Sequence, residues 1–264
     1  MKQTGLTLIE LVVIIATVTL FIAVFLPSLQ NSKDQAKAIL CATNIKDLML
    51  GLFVYETTNG TLPYGLDSIR RDIPPGGYPG DHTYDRMGWW WFNYIHVCTE
   101  ESNSKKGVLW CPSRQINNSK LKRDVLCGNY GVNQSICKSS HGRKTHAEFI
   151  GRPLRTSDMS SSGQTLLLVD SGYAMVNWWH ATNSPPVSLS TVIEDGAYLP
   201  GLWINKEREL WPGQEWDAIN GRHLNKTVNV GFVDGHVGCA QADDFCVKKA
   251  DEGYKNLRPL WLPR

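Results

Sequence analysis

The feature that most constrains this chain lies at its start. Residues 6–26 are apolar apart from Glu10 and the hydroxyls of Thr7, Thr17 and Thr19. As a helix, these 21 residues reach roughly 31 Å, enough to cross a hydrocarbon core. Lys2 precedes the stretch, which directs the short N-terminal end to the cytoplasm. The rest of the chain is then expected on the far side of an inner membrane.

A secretory signal peptide also joins a basic start to an apolar stretch. Here, however, an acid sits just inside that stretch, and no clear small-x-small cleavage site follows Leu26. A plain anchor gives no reason for Glu10, because a carboxylate near lipid is costly without a partner. The order Gly5-Leu6-Thr7-Leu8-Ile9-Glu10 resembles the N-terminus of type IV pilins and pseudopilins. The resemblance implies cleavage by a prepilin peptidase between Gly5 and Leu6, with methylation of the new amine on Leu6. The family usually carries Phe at that position, so Leu6 is a departure. The resemblance also gives Glu10 a role: its carboxylate pairs with the N-terminal amine of a neighbouring subunit, so two costly charges neutralise each other and set the packing register. Pro27, the 22nd residue from Leu6, either kinks this helix or ends the membrane segment.

Beyond the membrane the helical pattern runs on to Asn59. Cys41, Ile45, Leu48, Leu52 and Tyr55 recur at spacings of four and three, the stripe of an amphipathic helix. Lys33, Asp34, Lys37, Lys46 and Asp47 lie on the other side. Asn59-Gly60 is a stop signal, since glycine takes the left-handed cap readily.

The remainder reads as β-rich with long loops. Residues 74–80 (Pro-Pro-Gly-Gly-Tyr-Pro-Gly) are loop, and 160–163 (Ser-Ser-Ser-Gly) are a turn or short linker. Residues 165–170 (Thr-Leu-Leu-Leu-Val-Asp) suit a buried strand. Residues 227–233 and 236–240 read as a hairpin turning on Asp234-Gly235, with positive φ tolerated at both turn positions. Gly221 to His223, followed by Asn225-Lys226, suggests a third strand leading in. The expected class is α+β: a long N-terminal helix on an antiparallel sheet of four to six strands. The domain map is leader 1–5, membrane and assembly helix 6–27, helix continuation 28–60, and globular domain 61–264.

Several landmarks resemble a pilin-like subgroup with a C-terminal "H-x9-DG" domain. They are Cys41-Ala42-Thr43-Asn44-Ile45-Lys46-Asp47-Leu48, Leu62-Pro63, Trp110-Cys111-Pro112-Ser113, Tyr130-Gly131-Val132-Asn133, and Arg222-His223 with Val230 to Val237. Ten residues rather than nine separate His223 from Asp234; the extra one lengthens the turn at 224–226.

Candidate chemistry is sparse. His223, Asp234 and His236 carry the atoms of a metal site or an acid/base pair, but turn geometry and cross-strand hydrogen bonds account for them more simply. Type II secretion pseudopilins hold calcium in a C-terminal loop; Asp243 and Asp244, with Asp251 and Glu252, offer similar oxygens but read first as a solvated acidic turn. Seven cysteines point to disulfides outside the cytoplasm, with local pairs Cys98–Cys111, Cys127–Cys137 and Cys239–Cys246 plausible and an odd thiol left over. Trp89-Trp90-Trp91 and Trp178-Trp179 either pack under loops or offer stacking faces. With 27 basic against 25 acidic side chains, no nucleic-acid footprint exists. The sequence therefore reads as a structural pseudopilin without a cofactor, inserted in the inner membrane and partnered by prepilin peptidase, like subunits and other pseudopilins. The alternatives are a membrane-tethered binder of polysaccharide or protein and, third, an envelope hydrolase using His223 and Asp234.

Overall fold

One helix, α1, dominates the chain. The computed structural model describes residues 7–70, 72, 88–95, 107–142, 144–186 and 196–263; the leader, the 74–80 loop and Cys98 lie outside them. Helix α1 runs unbroken over Leu8–Asn59, with Pro27 inside it and Gly60 capping it at φ 76°. Pro27 therefore does not end the helix. Residues 7–33 are exposed throughout, whereas Cys41, Ile45, Leu48, Met49, Gly51 and Leu52 are buried. The division follows the sequence: the apolar half has no internal partner, and the striped half lies on the globular part. Burying side chains such as Ile45, Leu48 and Leu52 contributes roughly 1.5–3 kcal/mol each.

The strands are β1 (Leu66–Asp67), β2 (Trp89–Trp90), β3 (Tyr130–Asn133), β4 (Leu166–Asp170), β5 (Met175–Val176), β6 (Thr227–Phe232), β7 (Val237–Gln241), β8 (Lys248–Ala250) and β9 (Gly253–Lys255). A short helix, α2 (Glu215–Asn220), precedes β6. The central sheet has five strands in the order β5-β3-β4-β6-β7. All its pairs are antiparallel except β3–β5, which is parallel. The class is α+β as expected, but the sheet is mixed: the return from β4 to β5 passes through residues 171–174 and lays β5 along the free edge of β3.

Alternation along β6 builds two cores. Val228 and Val230 join Trp178, Trp179 and Trp261 on the face away from α1. Asn229 and Gly231 face the helix, where Asn229 Nδ2 donates to Ala38 O at 3.3 Å and Gly231 lies beneath Met49. In β4 a register shift between Leu166 and Leu168 puts Leu167 and Leu168 into the helix-facing core and Leu166 and Val169 into the other.

The β6–β7 hairpin forms where expected, with one correction. The positive φ falls on Gly235 (89°), not on Asp234. Gly235 N–H donates to Phe232 O, and Phe232 N–H to His236 O; the loop is longer than a two-residue primed turn and needs one left-handed residue. The strand expected at residues 221–223 does not form, whereas the turn expected at 224–226 does. Gly221 instead caps α2, and Asn225 and Lys226 both adopt φ 57° in a tight turn, which closes against Gly201.

Candidate functional site

Among the described residues, two parts carry chemistry beyond packing. The first is the start of α1. Thr7 is its N-cap, and Glu10 completes a reciprocal capping box. Thr7 N–H and Oγ1 each donate to Glu10 Oε2 at 2.8 Å, and Glu10 N–H donates to Thr7 Oγ1 at 3.3 Å. The box satisfies otherwise orphaned donors at the helix start. Thr-x-x-Glu before an apolar run is itself a recognised start signal, so this role of Thr7 was open to inference. Gly5 and Leu6 lie outside the described residues. Glu10 is the only charged side chain among residues 7–32, and large apolar groups such as Leu8, Phe21 and Leu29 stand exposed around the helix. The helix is long and apolar enough to cross a membrane and fits a membrane anchor.

The second part is a buried polar cluster where α1 first meets the sheet. Cys41 comes from α1, Cys111 from the Trp-Cys-Pro-Ser segment, Asp170 from the end of β4, and His223 from the turn before β6. All four are buried, and one donor atom from each lies within 4.8 Å of the others. Cys41 Sγ stands 3.0 Å from Asp170 Oδ1 and 3.7 Å from Cys111 Sγ. His223 Nε2 is 3.1 Å from Asp170 Oδ2, which also accepts the Asn229 backbone N–H at 2.8 Å. Asn229 Nδ2 lies 3.0 Å from His223 Nε2, and Cys111 N–H donates to Asn129 Oδ1 at 2.9 Å.

Burial opposes charge on Asp170, but the His223 hydrogen bond and the nearby charges of His223 and Arg222 outweigh it and lower its pKa. Burial pushes His223 down, yet Asp170 raises it above its ordinary value. Their shifts agree in direction and describe an imidazolium–carboxylate pair. Burial drives the Cys41 thiol well up, with Cys111 and Asp170 adding to it. Burial also works against Cys111, but the hydrogen bond from Cys41 and the charges of Arg222 and His223 hold it below the usual thiol value.

The residues singled out in the sequence are thus redistributed. His223 is a core residue paired with Asp170. Asp234 stands past the other end of β6, at an exposed turn with His236: Asp234 Oδ1 accepts the His236 backbone N–H at 3.0 Å and lies 2.6 Å from His236 Nδ1. The His236 ring stacks on Phe232 at 4.3 Å. The "H-x-DG" spacing is therefore the span of one strand with its two flanks, not a single site. Asp243 and Asp244 sit in the first turn of a short 3-10 helix, where Asp243 Oδ1 accepts Trp203 N–H.

No disulfide joins the described cysteines to one another, so the local bridges Cys127–Cys137 and Cys239–Cys246 are not formed. Cys127 and Cys137 fill the core, and Cys239 points outward from β7. The tryptophan clusters are mostly interior. Trp90, Trp91, Trp178 and Trp179 are at most 4% exposed, and only Trp89 of the five is partly accessible, beneath the Arg70 guanidinium. Asp170 and Cys111 were missed as site residues. Asp170 ends an apolar run, where a carboxylate needs a buried partner, and that was the available signal.

The chain is similar to competence protein ComGC of Halalkalibacterium halodurans, 29% identical over 70 residues, which is 26% of this chain and 69% of that protein. It is also similar to type II secretion system core protein G of Pseudomonas aeruginosa, 28% identical over 91 residues, which is 33% of this chain and 63% of that protein. The chain thus spans about two thirds of each relative, while most of its own length has no counterpart in the alignments. Both similarities support the pilin-like superfamily. No family model matches, and no solved structure matches.

Proposed function

We propose that this chain is a membrane-anchored, pilin-like structural subunit whose exposed apolar half-helix packs against like subunits in a pseudopilus or pilus serving type II-like secretion. Prepilin peptidase cuts it between Gly5 and Leu6 and methylates Leu6. The N-terminal end stays cytoplasmic, and residues 61–264 form the domain on the periplasmic side of the inner membrane.

The observation that carries this reading is the single carboxylate of Glu10 on an otherwise uncharged, wholly exposed helical surface. In the lone chain Glu10 caps its own helix through Thr7. After cleavage Thr7 remains next to the new terminus, so Glu10 keeps this local partner until a neighbour's amine replaces it. Carboxylate and ammonium then neutralise each other in lipid, and the subunit's axial position is fixed. The two relatives support the same family of assemblies.

The test is Glu10→Leu in the native host, with cysteine cross-linking along residues 11–26 as the readout. The variant is expected to reach the membrane and be cleaved normally, yet lose the cross-linked ladder. An undiminished ladder would remove the charge pair from the account.

A second reading, a membrane-tethered binder, draws on an open groove of about 540 Å³ lined by Tyr55, Tyr64, Asp67, Arg70, Asp72 and Tyr94. It predicts a Glu10→Leu protein with full function. The hydrolase reading loses its basis, because β6 separates His223 from Asp234.

A further inference from the structure

We propose that Cys41, Cys111, Asp170 and His223 form a closed structural site for a zinc-class divalent cation, which fastens α1 to the sheet where the helix enters the domain. The proposal rests on the domain's geometry and stands whether or not the chain assembles into a filament.

The spacing of the donor atoms fits a single ion taking all four of them. Two thiolates on a tetrahedral zinc, at about 2.3 Å from the metal, stand about 3.8 Å apart; Cys41 Sγ and Cys111 Sγ are 3.7 Å apart. A disulfide would require about 2.05 Å. Nitrogen and oxygen ligands at about 2.0–2.1 Å stand roughly 3.4 Å apart on the same ion, and His223 Nε2 lies 3.1 Å from Asp170 Oδ2. The four donors come from four separate segments, so no turn or helix periodicity brings them together by default.

The donor chemistry selects the metal class. Two thiolates with an imidazole and one carboxylate suit zinc and disfavour calcium or magnesium, which take all-oxygen shells. The burial of every member suits a four-coordinate structural site rather than a catalytic one with an open position. Outer contacts already orient the ligands: Asn229 N–H holds Asp170 Oδ2, and Asn129 Oδ1 holds the Cys111 backbone. On binding, both thiols and the His223 imidazolium lose their protons to solvent, two Zn–S bonds, one Zn–N bond and one Zn–O bond form, and the single net negative charge left by two thiolates and a carboxylate on a divalent ion faces the Arg222 guanidinium.

Position gives the site its purpose. Cys41 is the first fully buried residue along α1, so an ion bound here ties the helix to the sheet close to where its exposed half ends.

Full-length protein extracted in detergent without chelator is expected to carry one zinc per chain by inductively coupled plasma mass spectrometry. After chelation, cobalt(II) added to the reduced wild-type chain should give tetrahedral d–d bands with thiolate charge transfer. Cys111→Ser should shift the charge-transfer intensity down by about half, and calcium should not compete. The wild-type cobalt spectrum keeps the test independent of whether a variant folds. A metal-free chain with a Cys41–Cys111 disulfide in non-reducing peptide mapping would overturn the proposal. So would a reduced, folded chain that takes up no cobalt.

Discussion

Gly231 of β6 lies directly under Met49 of α1, so close that a Cβ on Gly231 would stand 2.8 Å from Met49 Cγ and 3.0 Å from Ile45 Cγ2. The helix therefore sits on the sheet at a distance set by a missing side chain. Gly231→Val should overpack this contact and destabilise the domain by about 1–3 kcal/mol. Urea unfolding of the detergent-solubilised chain, followed by tryptophan fluorescence, measures it. Met49→Ala in the same background should recover part of the loss, because the two positions share one contact.

Arg222 and Asp217 form an ion pair in which both side chains are fully buried, at 2.8 Å. Arg222 Nη1 donates to Asn129 O and Nη2 to Ser171 O, both at 2.7 Å. Asp217 also accepts Tyr198 Oη–H at 2.8 Å and Gln115 N–H at 2.9 Å. Arg222→Ala strands a buried carboxylate and two carbonyls, with an expected cost of about 3–5 kcal/mol. Arg222→Lys should recover little, because one ammonium cannot reproduce the planar fork. The same unfolding assay ranks the variants.

Slight burial pushes Asp234 up, but the His236 backbone N–H and ring outweigh it and hold its carboxyl below the ordinary value. A depressed carboxylate adds stability above its unfolded pKa and loses it as pH falls through the folded pKa. The Asp234 contribution is thus present at neutral pH and disappears in acid, below the usual carboxylate range. The turn is exposed, so its worth is on the order of a few tenths of a kcal/mol. Asp234→Asn keeps the Oδ1 acceptor, and should flatten this part of the acid limb in a stability–pH series.

Much of the frame was legible because it rests on local rules. The stripe Cys41, Ile45, Leu48, Leu52, the Gly60 stop, the buried run ending at Asp170 and the hairpin at Asp234-Gly235 are each written in a few adjacent residues. The failures share a cause: they depend on what distant segments do. Residues 221–223 look like a strand until Gly221 is drawn into capping α2 and packs against Gly201. β5 runs parallel to β3 because of a short return after β4 that no periodicity records. Cys41 was read correctly as a buried helix position, but nothing in its neighbourhood names Cys111, Asp170 and His223, which approach from three other segments.

The most direct test of the central claim is the intact mass of the protein purified from its native membrane. The account predicts a chain that begins at Leu6, lacks residues 1–5 and carries one added methyl group. A full-length, unmethylated chain would contradict it and leave an ordinary anchored domain.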